Sequence, residues 1–391
     1  MPPRTALLIP YIALAGLVVL AGCQSLSRPE ASAVPVLPTH AVLPTPVAMH
    51  EFTLNPMDDV VGSVQVVRAR AEDTLSDIAR RFNVGYEEIV SANPGVDPWV
   101  PQAGTEVVIP TEFVLPDTRR QGIVVNLAAM RLFYFPKRKP GEPQKVITHP
   151  IGIGRVGWRT PEGSTTIVAK TAAPAWTPTP AIRKEHAADG DPLPEVVPPG
   201  PDNPMGTHAL RLGWPEYAIH GTDKPPSIGL RGTHGCLRLY PEDIVGIYDA
   251  VPVGTPVTVV NQPVLVGWRG DTLVMQTYPV LEDDKRRHDP DQLIKRSIQG
   301  KPGARANVFV NEALVAEITK NPRALAVPIS SANLTLAQYL AAAQRVQNKL
   351  PLNATWDGGV SRQLTAAALM KNAETPSPAA GTRGLRDAAG R

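Results

Sequence analysis

The spacing of apolar positions changes repeatedly along the chain, and the changes divide it into segments. Ala6 to Val19 is a short apolar run, interrupted by Pro10 and preceded by the single cation Arg4. Such a run, followed by small residues, has the layout of an export signal; a membrane-spanning helix needs about 20 apolar residues. Residues 24–63 show little periodicity and much Pro, Ala, Ser and Thr, the composition of a tether. From Val64 the pattern tightens. Val64 to Val67 predicts a strand, and Leu75, Ile78, Ala79 and Phe82 recur at i, i+3, i+4 and i+7 behind a capping-box start at Thr74-Leu75-Ser76-Asp77. Tyr86 to Asn93 predicts a second helix, closed by Pro94-Gly95, and Thr105 to Pro110 a returning strand. Residues 64–110 are thus expected to form a small βααβ module.

Between 121 and 261 the pattern is mainly β. Gly122 to Leu127 and Met130 to Phe135 predict a hairpin, with further strands at Val146 to Gly152, Ser164 to Lys170, His208 to Leu212, Tyr217 to His220 and Val257 to Val260. Pro241-Glu242-Asp243 has the residues of a helix start. Residues 172–204 hold nine prolines in 33 residues, which predicts a long loop without helix or central strand, of the size used for lids. Residues 262–370 read as an accessory region: a hairpin around Arg269-Gly270-Asp271, a short helix from Asp289 toward Gly300, and an amphipathic helix over 335–349. The stretch 371–391 reads as a disordered tail.

Composition narrows the function classes. The 391 residues carry 39 Lys+Arg against 36 Asp+Glu, a net +3 that gives no electrostatic footprint for nucleic acid. Proline, at 43 residues, argues against long helical bundles. Cysteine occurs only at Cys23 and Cys236, which excludes a disulfide scaffold and a Cys-rich zinc site. Leu20-Ala21-Gly22-Cys23 resembles the bacterial lipobox, in which cleavage before the cysteine leaves it to carry acyl chains. That resemblance implies lipidation at Cys23 and a stable membrane anchor. Gln24 in the next position points to the periplasmic side, at the inner leaflet of the outer membrane.

The second cysteine lies in Thr233-His234-Gly235-Cys236, sixteen residues after His220 at the end of a predicted strand. A thiol nucleophile needs a base or electropositive surroundings, and an imidazole is the commonest solution. Gly235 allows the close backbone approach that an oxyanion hole requires. Spacing alone leaves either His220 or His234 as the base. A buried inert cysteine, and zinc held by His220, His234 and Cys236, are the competing readings.

His220-Gly221-Thr222 and Thr233-His234-Gly235-Cys236-Leu237-Arg238 together resemble the signature of the YkuD-type L,D-transpeptidases. Met130-Arg131-Leu132-Phe133-Tyr134-Phe135-Pro136, Trp176-Thr177-Pro178-Thr179 and Pro201-Asp202-Asn203-Pro204-Met205-Gly206 extend the likeness over residues 121–261. Asp73-Thr74-Leu75, Asn93-Pro94 and Val107-Val108-Ile109-Pro110 resemble the LysM module, a peptidoglycan-binding unit, and the pair of likenesses matches the ErfK/YbiS group. The resemblance implies a YkuD-like β-sandwich with one or two helices behind a LysM module, and no cofactor or metal. It makes Cys236 the nucleophile and His220 the base, oriented through the carbonyl of Gly221. Backbone N–H groups around His234, Gly235 and Cys236 would hold the oxyanion. Thr233, Arg231, Arg238, Ser227 and Trp176 are the substrate-binding candidates. The implied partners are peptidoglycan tetrapeptide stems and glycan, with a lipoprotein lysine or a second stem as acceptor. The alternatives on the same residues are a hydrolase of stems or linkages and a non-catalytic wall-binding lipoprotein.

Overall fold

The computed structural model describes residues 50–299 and 307–350. The export signal, Cys23, most of the tether and the terminal tail lie outside the described residues.

Alternating apolar residues organise the central sheet. Its nine strands run in the order Glu51–Leu54, Gln144–Pro150, Arg131–Phe135, Gly122–Asn126, Pro256–Val260, Gly163–Ala172, His208–Leu212, Ala218–His220 and Leu237–Arg238. The ten-residue strand Gly163–Ala172 pairs its first half with Pro256–Val260 and its second half with His208–Leu212, and its register shifts between Ile167 and Ala169. Such a bulge bends a strand, and here it joins two halves around one core. Ile123, Val125 and Leu132 from one half meet Leu210, Ile219 and Leu237 from the other. That is the sandwich arrangement expected from the sequence. The helix Pro241–Ala250 closes the same core with Ile244 and Ile247. Val124, Phe133 and Phe135, the alternate residues, point the other way into a second cluster with Phe52, Leu54 and Phe113.

Phe52 and Leu54 correct one boundary. The tether predicted to reach residue 63 gives way earlier, because Glu51–Leu54 pairs with Gln144–Ile147 and Val60–Gly62 with Glu112–Val114. Within the Pro-rich segment the structure also differs from expectation: Pro180–Ala188 is a helix. Pro180 occupies the first turn, where its missing N–H costs nothing, and Thr179 accepts a hydrogen bond from Ile182 N–H.

The βααβ module is present as Gln65–Arg68, Leu75–Arg81, Tyr86–Ala92 and Glu106–Ile109. Thr74 and Asp77 make the reciprocal capping box. Its sheet gains a third strand from Gln344–Arg345, which pairs with Gln65–Val66. The amphipathic helix expected over 335–349 therefore stops at Ala341. The accessory region holds the hairpin Val264–Arg269 and Thr272–Thr277, the strand Ala326–Pro328, and helices Pro290–Gln299 and Glu312–Lys320 around buried Trp268.

The module is bound tightly to the central sheet. Arg131, fully buried, donates to both carboxylate oxygens of Glu88 at 2.8 and 2.7 Å and lies 4.0 Å over the Phe113 ring. Asn83 donates to Asp243 at 2.8 and 2.7 Å. Tyr86 and Glu87 N–H groups donate to the carbonyls of Ile228 and Gly229 at 3.1 and 3.2 Å. A side chain at Gly229 would fall 2.2 Å from Tyr86 N, so glycine is required for this approach. The segment joining His220 to Cys236 is thereby braced from below by the module. Among the described residues no helix is long and apolar enough to cross a membrane.

Candidate active site

Three neighbouring strands set out the site by simple alternation. Leu210, Ile219 and Leu237 point into the core, so the residues beside them share the opposite face. Those residues are Ala209 and Arg211 on one strand, Ala218 and His220 on the next, and Cys236 and Arg238 at the third. Cys236 packs there with Ala218, Ala209, Met205 and Trp176. The antiparallel contact between Trp176 and Val197 carries the indole over this face.

His220 is buried, and its Nδ1–H donates to the carbonyl of Gly221 at 2.7 Å. That bond fixes the tautomer and leaves Nε2 as the basic nitrogen. Burial, with the Arg238 guanidinium, lowers the imidazole to about 3, so the ring is neutral at physiological pH. Cys236, the free cysteine of the described residues, donates its thiol to the carbonyl of Glu216 at 3.5 Å. Burial pushes the thiol up, against the pull of the Ala218 N–H and of Arg238 and Arg211. The resting pair is a neutral thiol and a neutral imidazole.

The turn before the nucleophile is held from within. Thr233, buried, donates its hydroxyl to the Cys236 carbonyl at 2.7 Å and accepts from Gly235 N–H at 3.0 Å. Thr160 donates to the Gly235 carbonyl at 2.8 Å. Gly235 has φ +107°, and a Cβ there would sit 2.7 Å from the Tyr217 ring. Two expectations change here. Thr233 shapes the turn instead of facing a substrate, and the Gly235 N–H is spent on it. The Cys236 N–H, which makes no hydrogen bond among the described residues, is the remaining oxyanion donor at the thiol itself.

His234 stands apart from the thiol–His220 pair. Its Nε2 contacts Glu185 of the Pro180–Ala188 helix at 3.2 Å, and its ring lies 4.7 Å from Trp158, edge to face. Glu185 also pairs with Arg155. Burial and Arg155 lower His234 to about 4. The Pro-rich segment is therefore latched to the turn through Glu185, and Asn203 braces it from inside by donating to the carbonyls of Pro174, Val197 and Pro198.

The remaining substrate-binding candidates separate. Arg231 is paired with Asp283 at 3.0 Å and donates to the Gly154 carbonyl at 3.3 Å, so an internal salt bridge occupies it. Ser227 donates to the Lys224 carbonyl at 2.7 Å and closes its own turn. Arg238 keeps a buried Nε with no hydrogen-bond partner. Arg211, which no sequence motif marks, joins the site through strand pairing opposite Ala218. Among the described residues no group of three His, Cys, Asp or Glu side chains is placed to hold a metal, so the zinc alternative lacks its ligand set.

Known proteins match the same segments in sequence. Residues 120–259 match the model of the YkuD family, the L,D-transpeptidase catalytic domain, and residues 67–110 match the LysM domain. Among curated Escherichia coli K12 proteins, "Probable L,D-transpeptidase YbiS" is 48% identical over 208 residues, 52% of this chain and 66% of that protein. "Probable L,D-transpeptidase ErfK/SrfK" is 47% identical over 191 residues, 49% of this chain and 60% of that protein. The chain thus spans 60–66% of the length of these relatives. A solved L,D-transpeptidase from Mycobacterium smegmatis aligns with 40% of this chain and 64% of its own at 24% identity, with a TM-score of 0.26. Cys236, His220 and the turn that carries the thiol all lie within the segment that matches the YkuD L,D-transpeptidase catalytic domain, set behind the segment that matches the LysM domain.

Proposed function

We propose that the protein is an L,D-transpeptidase acting on peptidoglycan tetrapeptide stems. The observation that carries the reading is the shared sheet face of Cys236 and His220, with Nδ1 of His220 locked on the Gly221 carbonyl at 2.7 Å. A substrate carbonyl entering this face meets the thiol as His220 Nε2 takes its proton. Sulfur adds to the carbonyl of diaminopimelate, and the Cys236 N–H receives the oxyanion. Collapse breaks the bond to the terminal D-Ala, whose amine leaves with the proton held by His220. An acceptor amine then attacks the thioester, gives its proton to His220, and expels the thiol. Because both resting groups are neutral, the charge separation arises only with substrate present.

The acceptor in this reading is a lipoprotein lysine or the diaminopimelate of a second stem. The LysM domain keeps the enzyme on its polymer. Lipidation at Cys23 holds the protein in the periplasm at the outer membrane's inner leaflet. The purified full-length protein is incubated with disaccharide-tetrapeptide, alone and with a lysine-ended peptide, and the products are weighed. Release of D-Ala with an amine adduct supports transfer. Release of D-Ala with water as sole acceptor makes the enzyme a hydrolase, and no release in any arm refutes the reading.

A further inference from the structure

Four arginines lie on or against the strands and turn that carry the thiol, and the structure has committed only two of them. Arg155 is taken by Glu185, and Arg231 by Asp283. Arg238 has no ion pair among the described residues, and its buried Nε has no partner. The Arg211 side chain makes neither a hydrogen bond nor an ion pair among the described residues, and the residue is exposed. Its placement follows from register. Arg211 is the direct antiparallel partner of Ala218, and the strand of Ala218 pairs in parallel with the one that begins just after Cys236. Adjacent strands lie about 4.8 Å apart, so the Arg211 and Cys236 backbones are separated by about 10 Å. Ala218, which lies between them, has too small a side chain to block the guanidinium from the thiol.

We propose that Arg211 is a substrate-binding residue that takes the free carboxylate of the residue expelled in the acylation step, with Arg238 two residues after the thiol on the same sheet face. This rests on the L,D-transpeptidase reading. When Cys236 attacks the penultimate carbonyl, the terminal carboxylate lies three covalent bonds beyond the attacked carbon. A guanidinium one strand away, with its donors free, offers the forked geometry a carboxylate matches. The small residues Ala209 and Ala218 share this face and are buried with Met205, against which Trp176 and Cys236 pack. The cation also explains selection: a stem with a free carboxylate at that point is held, and one continued or amidated there is not. The field of Arg211 reaches the thiol itself, which it draws down.

Two small alkylating probes test the carboxylate preference without peptidoglycan. The full-length protein is treated with iodoacetate or iodoacetamide, and modification is counted on the Cys236 peptide by mass spectrometry. Changes in thiol reactivity or folding affect both probes, so the ratio of their rates isolates recognition of the carboxylate. Arg211→Gln is expected to lower the iodoacetate-to-iodoacetamide ratio roughly tenfold, and Arg211→Lys less, since it keeps the charge and loses the fork. An unchanged ratio in Arg211→Gln overturns the proposal. In the second arm, Arg211→Gln raises KM for the tetrapeptide stem but not for the same stem ending in a carboxamide. Equal effects on both substrates overturn the proposal. If the stems are not turned over while the alkylation ratio still falls, the transpeptidase reading fails and the carboxylate site stands.

Discussion

At the scale of single residues, the reactive pair is tuned by burial more than by charge. A thiolate stabilised beside an imidazolium titrates well below an ordinary thiol and reacts readily in mild acid. Here the imidazole is held at about 3 and the thiol is pushed up, so neither partner stabilises the charged form of the other between pH 5 and 8. The rate of Cys236 alkylation by iodoacetamide should accordingly climb steadily from neutral pH into the alkaline range, because the reacting thiolate appears only there. A plateau already reached at pH 6 would show a preformed ion pair instead. Gly235 gives a second test at this scale. With φ +107° and the Tyr217 ring in the path of a Cβ, Gly235→Ala adds strain of about 1–3 kcal/mol and displaces the turn that presents sulfur. Stem turnover should fall at least tenfold, with a modest drop in melting temperature; wild-type turnover would mean the turn tolerates rearrangement.

The same residues show what a sequence can reveal. His220 and Cys236 were legible because the motif around each is local and chemically unusual. Thr233 and Gly235 were legible as part of that motif, but the use of their hydroxyl and N–H to tie the turn was not, since it depends on backbone angles. Arg211 carried no signal at all. Its neighbourhood to the thiol is created by strand register, through Ala218, and nothing in the stretch His208 to Leu212 distinguishes it from a surface strand.

At the scale of elements, the Pro-rich segment is the instructive case. Nine prolines suggested a loop without helix, yet prolines restrict a helix only beyond its first turn. Thr179-Pro180 was the available signal: a cap followed by proline at the first position. The resulting helix carries Glu185 to Arg155 and His234, while Asn203 supports the segment beneath. Asn203 is buried, and it also accepts from Met205 N–H at 2.8 Å. Asn203→Ala should cost about 1–3 kcal/mol by leaving carbonyls unpaired. Amide hydrogen exchange should accelerate across 174–205 and not in the central sheet; protection unchanged there would mean the segment is held by other contacts. Short pairings explain the other differences from the sequence pattern. Glu51–Leu54 and Gln344–Arg345 are strands because distant edges receive them, and Gln344–Arg345 is only two residues long.

At the scale of the whole molecule, the LysM-matching module is packed onto the central sheet. Periodicity located both domains, but the polar contacts between them come from residues that read as ordinary surface charges. Glu88 and Arg131 are both buried, and Arg131 also donates to the Asn83 carbonyl at 3.1 Å. Removing one partner strands a buried charge, which costs roughly 3–5 kcal/mol. Glu88→Ala should therefore lower the stability of the catalytic and LysM domains together. In calorimetry the wild type is expected to melt in one transition covering both; two separate transitions, with only one moved by Glu88→Ala, would show independent domains.

The central claim is that Cys236 carries the acyl group. The most direct measurement is the intact mass of full-length protein, acid-quenched during turnover of disaccharide-tetrapeptide, followed by peptide mapping. The expected result is an adduct of the stem minus D-Ala on the Cys236 peptide, absent from Cys236→Ala together with D-Ala release. Release of D-Ala by Cys236→Ala at the wild-type rate would contradict it.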